Sequence, residues 1–456
     1  MVRTSRAITL GASVALLVGV LAFAAGWAAA RIVGTTPVDT VIASFFSRES
    51  RRTTPASARA DFAVFWQVWD LVQAEFYRQE PLDQQHLVYG AIKGMLASLG
   101  DEYTSFQEPD LAAQSRESMQ GRFEGIGAYL RVQDGAIIID KPFRGSPAER
   151  AGLRAGDIVV AVDGEPLAAL IAGLSDGEAT ARAASKIRGP KGTVVTLTMR
   201  RPPASETYDV AITRDEVPII TVNGQMLDNG VAYIQITEFK ATTTQLLDET
   251  LRELIPQQPR SVVLDLRNNP GGFLTTAQEV LGRFYDGVAL YERENGGVEK
   301  ELRTIVGPAN TRLYDVPMVV LINSGSASAA EIVAGALRDQ RPNTTLLGEK
   351  SFGKGSVQNI HQLGDGSSAR ITIAHWFTPN RSEIHRIGIT PQYEVAASEE
   401  ARYPVPCVAD RQPAAGQSTC TDAQLAWSLN FLAGLAPPPP ARTGDFGPQL
   451  PRPAAA

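Results

Sequence analysis

The chain has 456 residues, 44% of them hydrophobic and 20% charged; at about 100–200 residues per domain this excludes a single small module. Lys plus Arg number 43 against 49 Asp plus Glu, and a net charge of −6 argues against a nucleic-acid binder that works by bulk charge, leaving open only a local basic patch. Four His and two Cys, with neither HExxH nor a paired CxxC, leave little for a zinc site.

In chain order, the first expected element is an export segment. Arg3 and Arg6 precede Ala7 to Ala30, an uncharged run long enough to cross a hydrocarbon core of about 30 Å. Ala28, Ala29 and Ala30 would suit cleavage as a signal peptide, but the run exceeds the usual apolar core of about 7–15 residues, so an uncleaved anchor is the preferred reading. With Arg3 and Arg6 on the cytoplasmic side, the rest of the chain lies outside the cytoplasm. Cys407 and Cys420 suit that compartment, either as a disulfide closing a short loop or as two thiols.

Gly34 to Ala60 reads as a tether. Phe62, Phe65, Trp66, Trp69, Leu71 and Val72 then recur at helical spacing, and Leu87, Ala91, Met95 and Leu99 repeat every four residues, predicting a small helical pair whose apolar residues serve packing. From Arg122, short β-rich runs (Ala136 to Asp140, Asp157 to Val162, Thr193 to Met199) alternate with turn clusters, and Ser146 to Gly156 reads as a helix and tight turn.

A new pattern starts near Val217. The run Ser261 to Leu266 predicts a buried strand, followed by Asn268-Asn269-Pro270-Gly271-Gly272 and a helix from Phe273 to Phe284. The theme repeats: strand Val316 to Ile322, turn Asn323-Ser324-Gly325-Ser326, helix Ala327 to Leu337. Two such units imply parallel strands with both helix N-termini at one sheet edge, where backbone N–H groups converge on any developing negative charge.

No GxSxG is present, which excludes the nucleophile elbow of the α/β-hydrolases. Gly348 to Lys354 satisfies GxxxxGK, but Gly355 stands where a Mg²⁺-binding Ser or Thr belongs and Ser356 to Ile360 reads as a strand, so a nucleotide site is rejected. Ser328-Ala329-Ala330-Glu331 is by itself a capping box, and Lys354 by itself a loop lysine.

Together they carry more. LDLRNNPGG (Leu264 to Gly272), NSGSASAAEIVAGALRD (Asn323 to Asp339) and GEKSFGKGSVQ (Gly348 to Gln358) resemble the three signature blocks of carboxy-terminal processing peptidases, extracytoplasmic serine endopeptidases that use a Ser–Lys dyad. GIGAYL and SPAERAGLRAGDIVVAVDGEPL (Gly125 to Leu167), with IRGPKGT (Ile187 to Thr193), are similar to the PDZ domain of that family, and VYGAIKGMLASLGDEYTSF (Val88 to Phe106) to its helical N-terminal region. The resemblance covers roughly Asp61 to Val395. It implies an α/β fold: a crotonase-like ββα peptidase core, an inserted β-rich PDZ domain with two helices, and an N-terminal helical region. The expected divisions are an anchor or signal peptide at 1–33, a linker at 34–60, helices at 61–115, a PDZ domain at 116–205, the peptidase core at 206–400, a C-terminal segment with a helix at 401–435 and a disordered tail at 436–456.

The resemblance implies Ser328 as nucleophile, Lys354 as general base, Gln358 as its support and Glu331 as the nearby acid. Against the family pattern, the loop Gln340 to Thr345 is one residue longer and Ala330 replaces a commoner serine. A lysine with an ordinary pKa near 10.4 must be largely neutral near pH 7 to accept a hydroxyl proton, so desolvation by walls such as Phe352 and Val357 is required. Gln358 would orient the amine without adding a negative charge, whereas Glu331 would favour the ammonium and is therefore expected to bond backbone or another cation. Oxyanion donors are assigned to the N–H of Ala329 and that of Gly271 or Gly272.

Gly125, Ile126, Gly127 and Ala128 resemble the PDZ loop that holds a peptide's terminal carboxylate, so the implied substrates are polypeptides with apolar C-termini. Family members are often regulated by their PDZ domain, and Arg188 is the candidate relay, against the plainer reading of a solvated arginine. Thr421 to Gln424 is a second capping box, opening a helix. The reading requires no metal or organic cofactor and no nucleic acid; it places the membrane as a partner through the N-terminal segment and leaves a homo-oligomer or regulatory adaptor open. Its rivals are a non-catalytic PDZ scaffold, disfavoured by Ser328, Lys354 and Gln358 standing together, and a crotonase-like acyl-CoA enzyme, disfavoured by the PDZ domain and export segment.

Overall fold

The computed structural model describes residues 56–435 apart from 144, 410 and 415. The expected anchor Ala7 to Ala30, most of the tether and the tail from residue 436 lie outside the described residues. Among the described residues no helix is long and apolar enough to cross a membrane. The chain divides into two units, Met1–Gln85 and His86–Ala456.

In the first unit a helix runs Ala56–Glu75, so it begins inside the stretch read as tether. Its aromatic residues touch one another, with ring centroids 5.1 Å apart for Phe65–Trp66 and 6.2 Å for Trp66–Trp69. Phe62 and Trp66 are nevertheless 49% and 55% exposed, so the described residues do not bury this face as expected.

The helix Gln84–Ala97 begins two residues before the second unit and leads into it. The face it buries is not the predicted one. Tyr89 and Leu96 are buried with Ile92 against Phe106 and Ile371, while Met95 and Leu99 are 58% and 62% exposed. A repeat of four residues overshoots the 3.6-residue turn and drifts around the axis, whereas steps of three and four hold one face.

The PDZ domain is an antiparallel sheet in the order Ala128–Gln133, Ala136–Pro142, Ile158–Val162, Val194–Arg200, Thr207–Thr213. Its last strand pairs with Val194–Arg200 along its whole length, so the sheet runs beyond residue 205. The helix Asp176–Ile187 carries a complete capping box from Ser175 and Glu178 and seats Ala179, Ala183 and Ile187 in the domain core. The domain is inserted: Arg122–Gly125 before it pairs antiparallel with Asp215–Pro218 after it.

The expected peptidase core rests on a six-stranded sheet in the order Val222–Met226, Val231–Ile236, Ser261–Asp265, Met318–Ile322, Thr344–Gly348, Tyr393–Glu394. The first pair is antiparallel and all the others are parallel. Every residue of Ser261–Asp265 and Met318–Ile322 is buried, as parallel strands covered on both faces require. Alternate residues go to opposite faces. Met318, Val320 and Ile322 meet the helices Thr243–Leu254, Leu274–Leu281 and Ala329–Gln340, while Val319 and Leu321 meet the C-terminal helix Ala423–Leu432.

A second, antiparallel sheet joins Ser105–Gln107, Ser368–Phe377, Val288–Glu294 and Glu299–Arg303, with Ser356–Gln362 also paired to Ser368–Phe377. The segment after the glycine-lysine turn is thus a strand, as its sequence predicts, and not the helix of a phosphate loop.

Cys407 and Cys420 form a disulfide across a separation of 13 residues, with Cα atoms 4.9 Å apart, and Cys420 packs under the C-terminal helix. Closing a loop of that size is worth about 3 kcal/mol on the chain-entropy estimate. The Cys407→Ser/Cys420→Ser variant is expected to lose about 2–4 kcal/mol in denaturant unfolding, and an unchanged midpoint would show that the loop is held without the bond.

Candidate active site

Two strand ends make the site. After Ser261–Asp265 the turn through Asn269 is clamped from below: the buried Asn269 amide donates to the Ile236 carbonyl at 2.7 Å and its oxygen accepts the Gly271 N–H at 2.9 Å. After Met318–Ile322, Asn323 accepts the N–H of Asn268 at 2.8 Å and that of Gly325 at 3.0 Å, and Ser326 Oγ donates to the Leu266 carbonyl at 2.8 Å. The two turns are therefore one hydrogen-bonded assembly. They open on a cleft of about 580 Å³ that is lined by Gly271, Gly272, Ser328, Ala329, Lys354 and Gln358, among others.

Ser328 precedes the helix Ala329–Gln340 with φ 54° and ψ −117°, a backbone state costly for a residue with a Cβ. Gly271 makes room for it, because a Cβ on Gly271 would sit 2.7 Å from Ser328 Cβ and 2.9 Å from Ala329 N. Gly272 is packed as closely on the other side, where a Cβ would meet the Phe239 carbonyl oxygen at 2.0 Å. The Gly271 N–H is taken by Asn269, whereas the N–H groups of Gly272 and Ala329 have no partner among the described residues. Both residues line the cleft.

The Ser328 N–H donates to Glu331 Oε2 at 2.9 Å, and the Glu331 N–H goes to the Ser328 carbonyl oxygen at 2.8 Å. Glu331 is fully buried and its carboxylate takes three further bonds: Ser351 Oγ at 2.6 Å, Gly353 N–H at 2.7 Å and Lys354 N–H at 2.8 Å. Burial raises its pKa above the usual carboxylate range, and these donors oppose the rise. Its partners are a hydroxyl and backbone, not the lysine ammonium.

Lys354 Nζ donates to Gln358 Oε1 at 2.7 Å, and Gln358 Nε2 in turn donates to Ser356 Oγ at 2.9 Å and Thr372 Oγ1 at 3.2 Å. No hydrogen bond joins Lys354 Nζ to the Ser328 hydroxyl. Burial brings the lysine pKa down to about 8, helped by the positive charge of Arg370 and opposed by Glu331 and Asp101. Of the two walls expected from sequence, Val357 lines the cleft and Phe352 does not. The ring over the amine is Tyr103, whose centroid lies 5.1 Å from Nζ and whose own hydroxyl is pushed up to about 12, chiefly by burial. Trp376 Nε1 fixes the Lys354 carbonyl at 3.1 Å.

Sequence reasoning missed Ser351, Asn269, Tyr103 and Arg370. Ser351 and Asn269 sit inside two of the signature blocks, where a polar residue among glycines was the available signal, and Tyr103 lies in the segment Val88 to Phe106, where the aromatic residue after Gly100 was the signal. Arg370 lies in a strand with no such mark.

A second groove, of about 310 Å³, lies on the PDZ domain beside the strand Ala128–Gln133 and the helix Asp176–Ile187. Ile126, Gly127 and Ala128 line it, while Gly125 is paired with Asp215 in the strand before it and does not. Arg188 also lines this groove, with its guanidinium 4.9 Å from the Phe123 ring centroid. Glu238 borders both this groove and the cleft of Ser328.

A PDZ domain set into an α/β core whose strand-end turns surround a strained serine defines a class of PDZ-bearing serine peptidases. Sequence comparison agrees: the model of peptidase family S41 matches residues 230–395, that of the PDZ domain 139–201, and that of the activating protease CtpB N-terminal domain 24–110. The chain is 37% identical to carboxy-terminal processing protease CtpA of Bacillus subtilis (strain 168), covering 74% of this chain and 69% of that protein, and 36% identical to CtpB of the same organism with the same coverage. Among solved structures, the photosystem II D1 C-terminal processing protease is 30% identical with a TM-score of 0.43, covering 72% of this chain and 86% of that one. The chain belongs to peptidase family S41, the carboxy-terminal processing serine proteases.

Removing the Glu331 carboxylate strands four donors. Glu331→Ala is expected to lower stability by about 3–4 kcal/mol and to speed amide exchange at Gly353 and Lys354; unchanged exchange at both would mean the carboxylate does not hold their loop.

Proposed function

We propose that the chain is an extracytoplasmic endopeptidase that hydrolyses polypeptides near their C-termini with Ser328 as nucleophile and Lys354 as general base. The observation that carries the reading is the buried Lys354 amine, held by the neutral carbonyl of Gln358 in the same cleft as Ser328, with a pKa of about 8. Such an amine is neutral in a useful fraction near neutral pH.

In this reading Lys354 Nζ swings from Gln358 to accept the Ser328 hydroxyl proton as Oγ bonds to the peptide carbonyl carbon. The oxygen that becomes negative meets the free N–H groups of Ala329 and Gly272, the alternative favoured over the engaged Gly271. The lysine ammonium then gives its proton to the leaving amine as the C–N bond breaks. Water, deprotonated by the same amine, releases the acyl group from Ser328.

The PDZ groove receives the apolar C-terminus of the polypeptide, its carboxylate on the backbone around Ile126 and Gly127. Arg188 lines that groove and Glu238 borders both sites, which supports a route by which peptide occupancy reaches Ser328. The membrane is reached through Ala7 to Ala30, with Arg3 and Arg6 on the cytoplasmic side, and the disulfide-bonded Cys407 and Cys420 favour an oxidising compartment. A homo-oligomer or a regulatory adaptor fits the exposed aromatic helix before residue 85.

Ser328→Ala is expected to lose at least about 1,000-fold in kcat on an unfolded protein with an apolar C-terminus. Because the group that must be neutral has a lowered pKa, kcat/KM should rise with pH through a limb near 8. Gln358→Glu puts a carboxylate on the amine and should move that limb up by about one unit or more; a limb that stays in place rejects Lys354 as the base. In intact cells an external protease should digest the folded part while a cytoplasmic marker survives, and protection of both would reject the location.

A further inference from the structure

Three residues with charged side chains line the cleft of Ser328: Glu238, Lys354 and Arg370. Glu238 is neutralised by Lys240, 2.8 Å away. Lys354 donates to Gln358 and, with its pKa lowered to about 8, loses its charge only above that pH. Arg370 differs, since a guanidinium stays protonated throughout the working range of a protein.

The other deeply placed arginines of the core all have partners: Arg267 has Asp265 and Asp422, Arg283 has Asp248, and Arg341 has the carbonyls of Leu313, Tyr314 and Val316. Arg370 has none among the described residues, and its Nε is buried without an acceptor. Burial alone accounts for the lowering of its pKa, with no carboxylate to offset it. Its backbone is fixed between two strands, opposite Ser105 on one side and Ile360 on the other. A buried donor left unpaired is costly, and a guanidinium fork matches a carboxylate in two hydrogen bonds.

We propose that Arg370 is a specificity residue that binds a carboxylate of the substrate polypeptide within the catalytic cleft, supplied either by the free α-carboxyl group of its tail or by an Asp or Glu side chain beside the scissile bond. The inference rests on the reading that Ser328 cleaves in this cleft.

The test compares two matched peptide pairs, one differing in a free or amidated C-terminus and one in Glu or Gln beside the scissile bond. Each is cleaved by the full chain, by Arg370→Gln and by Arg370→Lys at pH 9.5, above the value of about 8 that Lys354 has in the wild type, and preferences are compared as ratios within each enzyme. Wild type should prefer the carboxylate member of one pair by about tenfold or more in kcat/KM, carried by KM. Arg370→Gln should cut that preference at least about fivefold, and Arg370→Lys, which keeps the charge without the fork, should fall between. The pair that responds identifies the carboxylate, and preference surviving in Arg370→Gln for the free C-terminus belongs to the PDZ groove. Ratios unmoved in Arg370→Gln overturn the proposal; should that variant not fold, wild-type ratios in Arg370→Lys overturn it equally. Cleavage by Ser328→Ala at the wild-type rate would instead defeat the serine assignment, so the two failures are distinct.

Discussion

A single buried carboxylate joins the two halves of the site. Glu331 receives the N–H of Ser328 on one side and those of Gly353 and Lys354 on the other, with the Ser351 hydroxyl completing its set. A charge taken out of water is tolerable only when it is fully hydrogen-bonded, and here the donors come from the two loops whose spacing must be fixed. Because those donors are neutral, the carboxylate organises the lysine's backbone without pairing with its ammonium. The opposing influences on Lys354 then rank in a useful order: burial first, the Arg370 charge second, and the anion of Glu331 only third.

The rest of the site follows from sheet geometry. Parallel strands end on the same side, so the turns after Ser261–Asp265 and Met318–Ile322 must meet; the side chains of Asn323 and Ser326 lock them together, and that of Asn269 ties the first turn to Ile236. Ser328 holds its left-handed backbone because Gly271 has no Cβ to oppose it. Lys354 comes from elsewhere, on the approach to a strand of the second sheet, and Tyr103 from the segment before Ser105–Gln107 closes over its amine.

Much of this was legible in the sequence because short-range patterns encode it. The buried runs at 261–266 and 316–322, the glycine-rich turns and the following helices appear within a few residues of their predicted places. The sequence left Gly271 and Gly272 equivalent, since the distinction lies in whether Asn269 occupies an N–H, a matter of side-chain direction. The every-fourth-residue stripe of the helix Gln84–Ala97 misled because such a repeat drifts around the axis, and one partner of the face actually buried, Ile371, is distant in the chain. Tyr103 and Arg370 escaped notice because both are brought to the Lys354 amine by the pairing of Ser105–Gln107 with Ser368–Phe377, strands separated by more than 250 residues.

The insertion of the PDZ domain has an evolutionary corollary. Both of its connections pass through one four-residue ladder, Arg122–Gly125 against Asp215–Pro218. A foreign module presenting the same short ladder could be spliced in without disturbing the turns around Ser328. The inserted domain thus answers to the core through a single short seam, while the turns around Ser328 keep hydrogen bonds of their own.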